Sequence, residues 1–253
     1  MSNRTMKISV LGIGFDDITL EQSVLEAVRI IREEDEKAYI VTPNPEIVWM
    51  AQRDDSLREA LDGARVVLPD GIGIIIGAKL LGTPLQSGRV PGIDFAAALF
   101  TSMSHFGGSI YLLGAKPGVA ELAGEKLATM YPGLVIAGAL DGYFKDSDEV
   151  VGKINEAKPD VLLVCLGSPK QERFMHDNLN SLHVKLCAGL GGSLDVFAGN
   201  VRRAPVFFRR LGLEWLYRLF KEPRRIKRMI KLPLFIVAVV FLRLTASEKR
   251  SND

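Results

Sequence analysis

Residues 66–73 read V-V-L-P-D-G-I-G, a strand-forming run that ends on a proline, an aspartate and a glycine. P-D-G is ordinary turn chemistry. It also puts Asp70 at the mouth of an apolar strand, where a carboxylate can act as a general base. Other apolar runs end in the same way, on glycine or small polar residues: VTPNPE, LLGAKPG, CLGSPKQE and AGLGGSLD. If these runs are parallel strands, their carboxyl ends form one rim, where open α/β sheets bind ligands. That rim then carries Thr42, Asn44, Asp70, Ser168, Gln171 and Asp195. In G-S-P-K-Q-E (167–172), Pro169 suits the first turn of a helix. The Gln171 amide behind it can hydrogen-bond a sugar or a uracil edge, and Lys170 and Glu172 read as solvated. A-G-L-G-G-S-L-D (188–195) brings backbone N–H groups within reach of a phosphate or ribose, with Asp195 accepting from ribose hydroxyls. A tight turn with a capping aspartate is an equal reading of that stretch.

Rival chemistries find less support. No G-x-G-x-x-G fingerprint and no G-x-x-x-x-G-K-[ST] loop occurs, which removes the main basis for dehydrogenase or ATPase readings. His105, His176 and His183 lack metal-ligand spacing and read as structural or solvent-facing. D-S-D at 146–148 resembles a metal-binding D-x-D, but it directly precedes the helical run EVVGKINEA, where a helix cap is the favoured reading. Cys165 and Cys187 sit inside apolar runs and read as buried, inert thiols.

The elements that must position these residues follow from hydrophobic period. Runs rich in Val, Ile and Leu (KISVLGI, AYIVT, RVVLP, SIYLLG, LVIAGAL, DVLLVCLG, VKLCAGLG) read as strands. Most are separated by segments with helical spacing, such as the stripe Leu20, Val24, Ala27, Val28 and Ile31 behind Thr19 as N-cap, or 119–130 and 149–157. Alternating apolar strands and amphipathic helices predict an α/β fold, a Rossmann-like, mostly parallel sheet with helices on both faces.

Past residue 200 the pattern changes. Residues 201–253 hold 14 Lys/Arg and 4 Asp/Glu, a balance of +10, and the whole chain carries +2, so residues 1–200 carry −8. We read 1–200 as the core and 201–253 as a basic and apolar appendage, with helices at about 205–220 and 223–231 followed by an apolar segment. A basic tail on an acidic body fits an anionic partner. The apolar run LPLFIVAVVFL (232–242) is short of the roughly 20 residues a membrane span needs. With no secretory signal at the N-terminus, the expectation is a cytoplasmic protein.

T-P-N-P-E (42–46), L-P-D-G-I-G (68–73), G-R-V-P-G-I-D (88–94), Y-L-L-G (111–114) and G-S-P-K-Q-E (167–172) resemble, in order, the motif set of the WecG/TagA/CpsF glycosyltransferases. G-G-S-L-D-V-F-A-G (191–199) and R-A-P…G-L-E-W-L-Y-R-L…E-P-R-R (203–225) extend the resemblance into the tail, so that it covers nearly the whole chain. It implies a transferase that moves a sugar from a UDP-sugar donor to an undecaprenyl-diphosphate-linked acceptor at the inner face of the cell membrane. We read it as inverting and, with no convincing D-x-D and no His/Asp cluster, as working without metal or cofactor. The TagA branch adds N-acetylmannosamine to GlcNAc-diphospho-undecaprenol, which commits it to wall teichoic acid linkage. By the same resemblance Asp70 matches the family's candidate general base. Thr42, Asn44, Arg89 and Gln171 match donor-pocket positions, Asp195 a nucleotide-contacting one, and Arg218, Arg225 and Arg228 tail arginines that reach the leaving diphosphate. The loop TPLQSG (83–88) departs from the family by carrying Ser-Gly where members often have Pro-Glu, which leaves sugar choice open among N-acetylmannosamine, its uronic acid, glucose and galactose. No extra basic residue in the pocket motifs awaits a sugar carboxylate, so the neutral N-acetylmannosamine is favoured. The expectation leaves room for a homo-oligomer. Two rivals stay in view: an NAD(P)-dependent oxidoreductase on a similar sheet, and a nucleic-acid binder using the basic tail. The apolar 232–242 suits lipid better than a phosphate backbone, so no nucleic-acid partner is expected.

Overall fold

The computed structural model describes residues 6–33, 35–221 and 231–251. Its centre is a six-stranded sheet of β3 (Ala38–Val41), β4 (Val66–Val67), β5 (Ser109–Gly114), β6 (Val135–Leu140), β7 (Val161–Cys165) and β8 (Leu186–Gly189). Their order is β4-β3-β8-β7-β5-β6, every neighbouring pair parallel.

Alternate residues of these strands feed two separate cores. Tyr39, Val41, Leu162 and Val164 join one cluster, and Ile40, Leu163, Leu186 and Ala188 join the other. A sheet buried on both faces has no use for polar residues, which is why these strands read as continuous apolar runs. One face is covered by α1 (Leu20–Glu33), α5 (Gly92–Ser104), α6 (Val119–Met130) and α9 (Ser193–Phe197). The other carries α2 (Pro45–Ala51), α3 (Asp55–Asp62), α4 (Ile72–Leu81), α7 (Ser147–Ala157) and α8 (Lys170–Asn178).

Local signals set several boundaries. Thr19 and Gln22 form a reciprocal cap, the Gln22 N–H donating to Thr19 Oγ1 at 3.2 Å and the Thr19 N–H to Gln22 Oε1 at 2.9 Å. Asp146 caps α7, its carboxylate accepting from the Asp148 N–H at 2.8 Å, the capping role expected of D-S-D. Cys165 and Cys187 are buried, and burial pushes both thiols up to about 12, so they are inert. His176 packs against Tyr39, its Nδ1 lying 3.2 Å from the phenol oxygen, a structural role.

Two expectations are corrected. KISVLGI is not a strand of the main sheet: it folds into an antiparallel hairpin of β1 (Lys7–Val10) and β2 (Ile13–Asp16). Leu11 and Gly12 take φ of +50° and +81°, the mirror-image turn that suits a tight hairpin, and so the run reverses on itself. The tail helix drawn over 205–220 is two short ones, α10 (Val206–Arg210) and α11 (Glu214–Lys221), because Gly212 at φ +71° turns the chain between them.

The last helix, α12 (Lys231–Ser251), includes the apolar run and docks on the core. Phe235 and Val239 are fully buried in the same cluster as the α4 residues Ile74 and Ala78. Gly73 and Gly77 of α4 make the contact possible. A Cβ on Gly73 would sit 2.8 Å from Leu232 Cδ1, and one on Gly77 would sit 3.1 Å from the Phe235 ring. Among the described residues, no helix is long and apolar enough to cross a membrane.

Candidate active site

Four adjacent strands, β4, β3, β8 and β7, end at one rim, and a cleft of about 320 Å³ opens there. Each strand hands the chain to a helix through a short loop, and these loops supply the wall. β3 leads through Pro43 and Asn44 into α2, and β4 leads through Pro69–Gly71 into α4. β7 leads through Gly167–Pro169 into α8, and β8 through Leu190–Gly192 into α9.

Asp70 lies half-buried in this cleft. Its N–H donates to the Pro43 carbonyl at 3.3 Å, and the Val90 N–H donates to the Pro69 carbonyl at 2.9 Å, which pins the P-D-G turn between two neighbouring loops. Gly71 follows at φ +96°, a backbone angle that a side chain would oppose, and starts α4. The positive end of that helix therefore meets the rim beside the carboxylate.

The expected donor-pocket residues Thr42, Asn44, Arg89 and Gln171 all line the same cleft. Each is also held by the protein itself. Thr42 Oγ1 donates to the Gly189 carbonyl at 3.0 Å, and Asn44 Oδ1 caps α2 by accepting from the Ile47 N–H at 3.1 Å. Arg89 donates to the Arg209 carbonyl, at the end of α10. Gln171 is buried, its Oε1 accepting from the Gly191 N–H at 3.0 Å. Asp195 is set back: it lies in the first turn of α9, and Ser193 and Val196 contribute to the lining while Asp195 does not. Arg218 lies in α11, and Arg225 and Arg228 fall outside the described residues.

Glu172 is not solvated as its charge suggests. It is 1% exposed, and its Oε1 accepts from Gln171 Nε2 at 2.9 Å. Burial pushes its carboxyl above the ordinary range, against the pull of the Gln171 hydrogen bond. The correction follows from the turn: with Pro169 as its N-cap, α8 directs its second and third residues, Gln171 and Glu172, inward.

Glycines leave room where a ligand would lie. A Cβ on Gly167, Gly191 or Gly192 would meet no heavy atom within 4 Å, so the backbone itself faces open cleft. Such turns let N–H groups approach an anionic ligand closely.

The tail completes the wall, as an arm reaching the diphosphate would, but through residues that the sequence reading did not name. Glu214, Trp215 and Leu232 line the cleft opposite the loops. They are brought there by three ties besides Arg89. Arg203 grips Asp94 with both terminal nitrogens, at 2.6 and 3.2 Å. Lys231 pairs with Glu46 at 3.0 Å, and Gly212 lies against Ile72, where a Cβ would come within 2.6 Å. The signal was present in G-L-E-W (212–215), whose glycine is needed at the turn and whose next polar and aromatic residues face the cleft. Among the described residues, no group of three or more His, Cys, Asp or Glu is placed to hold a metal ion.

The model of the glycosyl transferase WecG/TagA/CpsF family matches residues 8–249. The chain belongs to this family. Among its relatives are proteins named N-acetylglucosaminyldiphosphoundecaprenol N-acetyl-beta-D-mannosaminyltransferase. The one from Bacillus spizizenii is 39% identical over 94% of this chain and 91% of its own length. That of Bacillus subtilis is 40% identical over 80% of this chain and 79% of its own, and that of Staphylococcus aureus strain MRSA252 is 35% identical over 94% and 93%.

Proposed function

We propose that this protein is an inverting glycosyltransferase that moves N-acetylmannosamine from UDP-N-acetylmannosamine to GlcNAc-diphospho-undecaprenol, on the pathway to wall teichoic acid or a related surface polysaccharide. The observation that carries the reading is a carboxylate, Asp70, sharing one cleft with the open glycine turns at Gly167, Gly191 and Gly192 in a chain whose relatives bear that name. In the proposed reaction Asp70 takes the proton from the acceptor sugar hydroxyl as its oxygen attacks the anomeric carbon from the face opposite UDP. The new glycosidic C–O bond forms while the bond to the β-phosphate oxygen breaks. UDP leaves with that electron pair, and the proton ends on Asp70. Thr42, Asn44, Arg89 and Gln171 bound the donor side, with Asp195 supporting the nucleotide end from behind the wall, in the first turn of α9. Negative charge grows on the leaving diphosphate and needs cations; Arg218, Arg225 and Arg228 of the tail supply it, with no metal and no cofactor required. The acceptor is a lipid, so the enzyme works as a peripheral protein at the cytoplasmic face of the membrane.

The test is a transfer assay on the full-length protein with a panel of UDP-sugars and a soluble lipid-diphospho-GlcNAc analogue, with and without excess EDTA. UDP-N-acetylmannosamine should give the disaccharide product at equal rates in both conditions. Faster transfer from another UDP-sugar would reassign the donor. Turnover that needs added Mn²⁺ or Mg²⁺ after chelation would end the metal-free mechanism.

A further inference from the structure

The Gln171 amide must satisfy two neighbours of opposite character. On one side is the Gly191 N–H, a donor, 3.0 Å from Oε1; on the other is Glu172 Oε1, an acceptor, 2.9 Å from Nε2. Only one orientation of the amide serves both, because turning it over would set N–H against N–H and oxygen against carboxylate. Glu172 therefore locks Gln171 in the orientation that serves Gly191. It does so from a costly position: it is 1% exposed, and among the described residues its Oε2 accepts no well-formed hydrogen bond, although the Ser168 hydroxyl, like Gln171, favours its charged form. A buried carboxyl adds little to stability by itself, and an apolar side chain of similar size would suit the site as well or better.

What the relay holds is the glycine turn. Gly191 sits at φ +55° with open cleft where its side chain would be, and Gly192 follows with the same open space. Two other bonds fix the base of the turn, from Thr42 Oγ1 to the Gly189 carbonyl and from Ser193 Oγ to the Leu190 carbonyl at 2.7 Å. The amide of Gln171 is the side-chain group that grips the turn at Gly191 itself.

We propose that Glu172 is a positioning residue for donor binding: it orients the Gln171 amide, which holds the Gly191 N–H and keeps the glycine turn shaped for the nucleotide diphosphate. This rests on the reading of the cleft as the donor site. Glu172 touches neither substrate, so its removal should weaken binding and leave the chemical step alone.

The experiment compares Glu172→Leu and Glu172→Gln in the full-length protein by three measurements: Gly191 amide hydrogen exchange in the ligand-free state, UDP affinity by calorimetry, and steady-state kinetics. Glu172→Leu should speed Gly191 exchange and weaken UDP binding, each by about tenfold, the usual worth of a buried hydrogen bond. KM for the donor should rise in step, kcat should stay within about threefold, and the melting temperature should not fall. Glu172→Gln can still present a carbonyl to Gln171 Nε2 and should stay near wild type in every measure. Unchanged Gly191 exchange in Glu172→Leu overturns the relay. So does a variant that fails to fold or loses melting temperature, which would make Glu172 a structural pillar, and so does a fall in kcat at constant KM, which would move it into the chemistry. If Gly191 exchange responds while the wild type binds no UDP, the relay stands and the donor-site reading falls.

Discussion

Backbone bonds help to hold Asp70 in place: its N–H donates to the Pro43 carbonyl, and the Val90 N–H donates to the preceding proline carbonyl. A change confined to the carboxylate leaves both of these bonds standing. Asp70→Asn removes the proton acceptor and keeps size and polarity, so UDP affinity and melting temperature should stay near wild type while turnover falls by roughly 10²–10⁴. Retention of more than about a tenth of wild-type activity in the transfer assay would remove Asp70 from the role. Single residues were legible at this site wherever strand ends announced them: Thr42, Asn44, Asp70 and Gln171 all follow apolar runs, and all reach the cleft. Arg89 reached it by resemblance, on the loop into α5. Asp195 did not, because the turn from β8 spends Gly191, Gly192 and Ser193 at the rim before α9 carries the chain away. Glu172 shows the limit of reading charge as exposure. Nothing in K-Q-E says which of the three side chains turns inward, and the helix start after Pro169 decides it.

At the scale of elements, the strands were legible because burial on both faces leaves a plain apolar run, and β3 to β8 all stand where such runs occur. The hairpin was not, since Leu11 and Gly12 reverse a run that composition alone reads as continuous. α4 packs on the core on one side and against α12 on another, with Ile76 and Lys79 left exposed. That packing makes a prediction about α12. Phe235 is fully buried against Gly77, so Phe235→Ala opens a cavity in the main core and should cost about 3–5 kcal/mol of unfolding free energy in a urea titration. A loss below about 1 kcal/mol would mean that α12 does not dock on α4 in solution.

For the whole molecule, the docking of α12 changes how the tail must be tested. Read from sequence, residues 201–253 were an arm that could be deleted to leave an intact core. With Phe235 and Val239 inside that core and Trp215 and Leu232 walling the cleft, such a deletion would expose the body's own apolar surface, and a loss of activity would say nothing about membranes. The face that packs and the face that does not can be separated instead. Val237, Phe241 and Leu244 are 65%, 68% and 57% exposed on the outer side of α12, beside a segment whose Lys and Arg outnumber its acids. Exposed apolar residues in a segment rich in Lys and Arg are the sequence pattern of a helix that lies in the interface of an anionic membrane, where each Lys or Arg near the surface adds about 1 kcal/mol. Full-length protein should therefore sediment with vesicles containing anionic lipid, less so as salt rises. The triple variant Val237→Asp, Phe241→Asp, Leu244→Asp should lose that binding while keeping its melting temperature, its UDP affinity and its turnover of a soluble acceptor, since none of the three residues lines the cleft. Its turnover of acceptor embedded in vesicles should fall with the binding. If the triple variant sediments with vesicles as the wild type does, the outer face of α12 is not the membrane contact, and the tail's part in the enzyme reduces to closing the cleft.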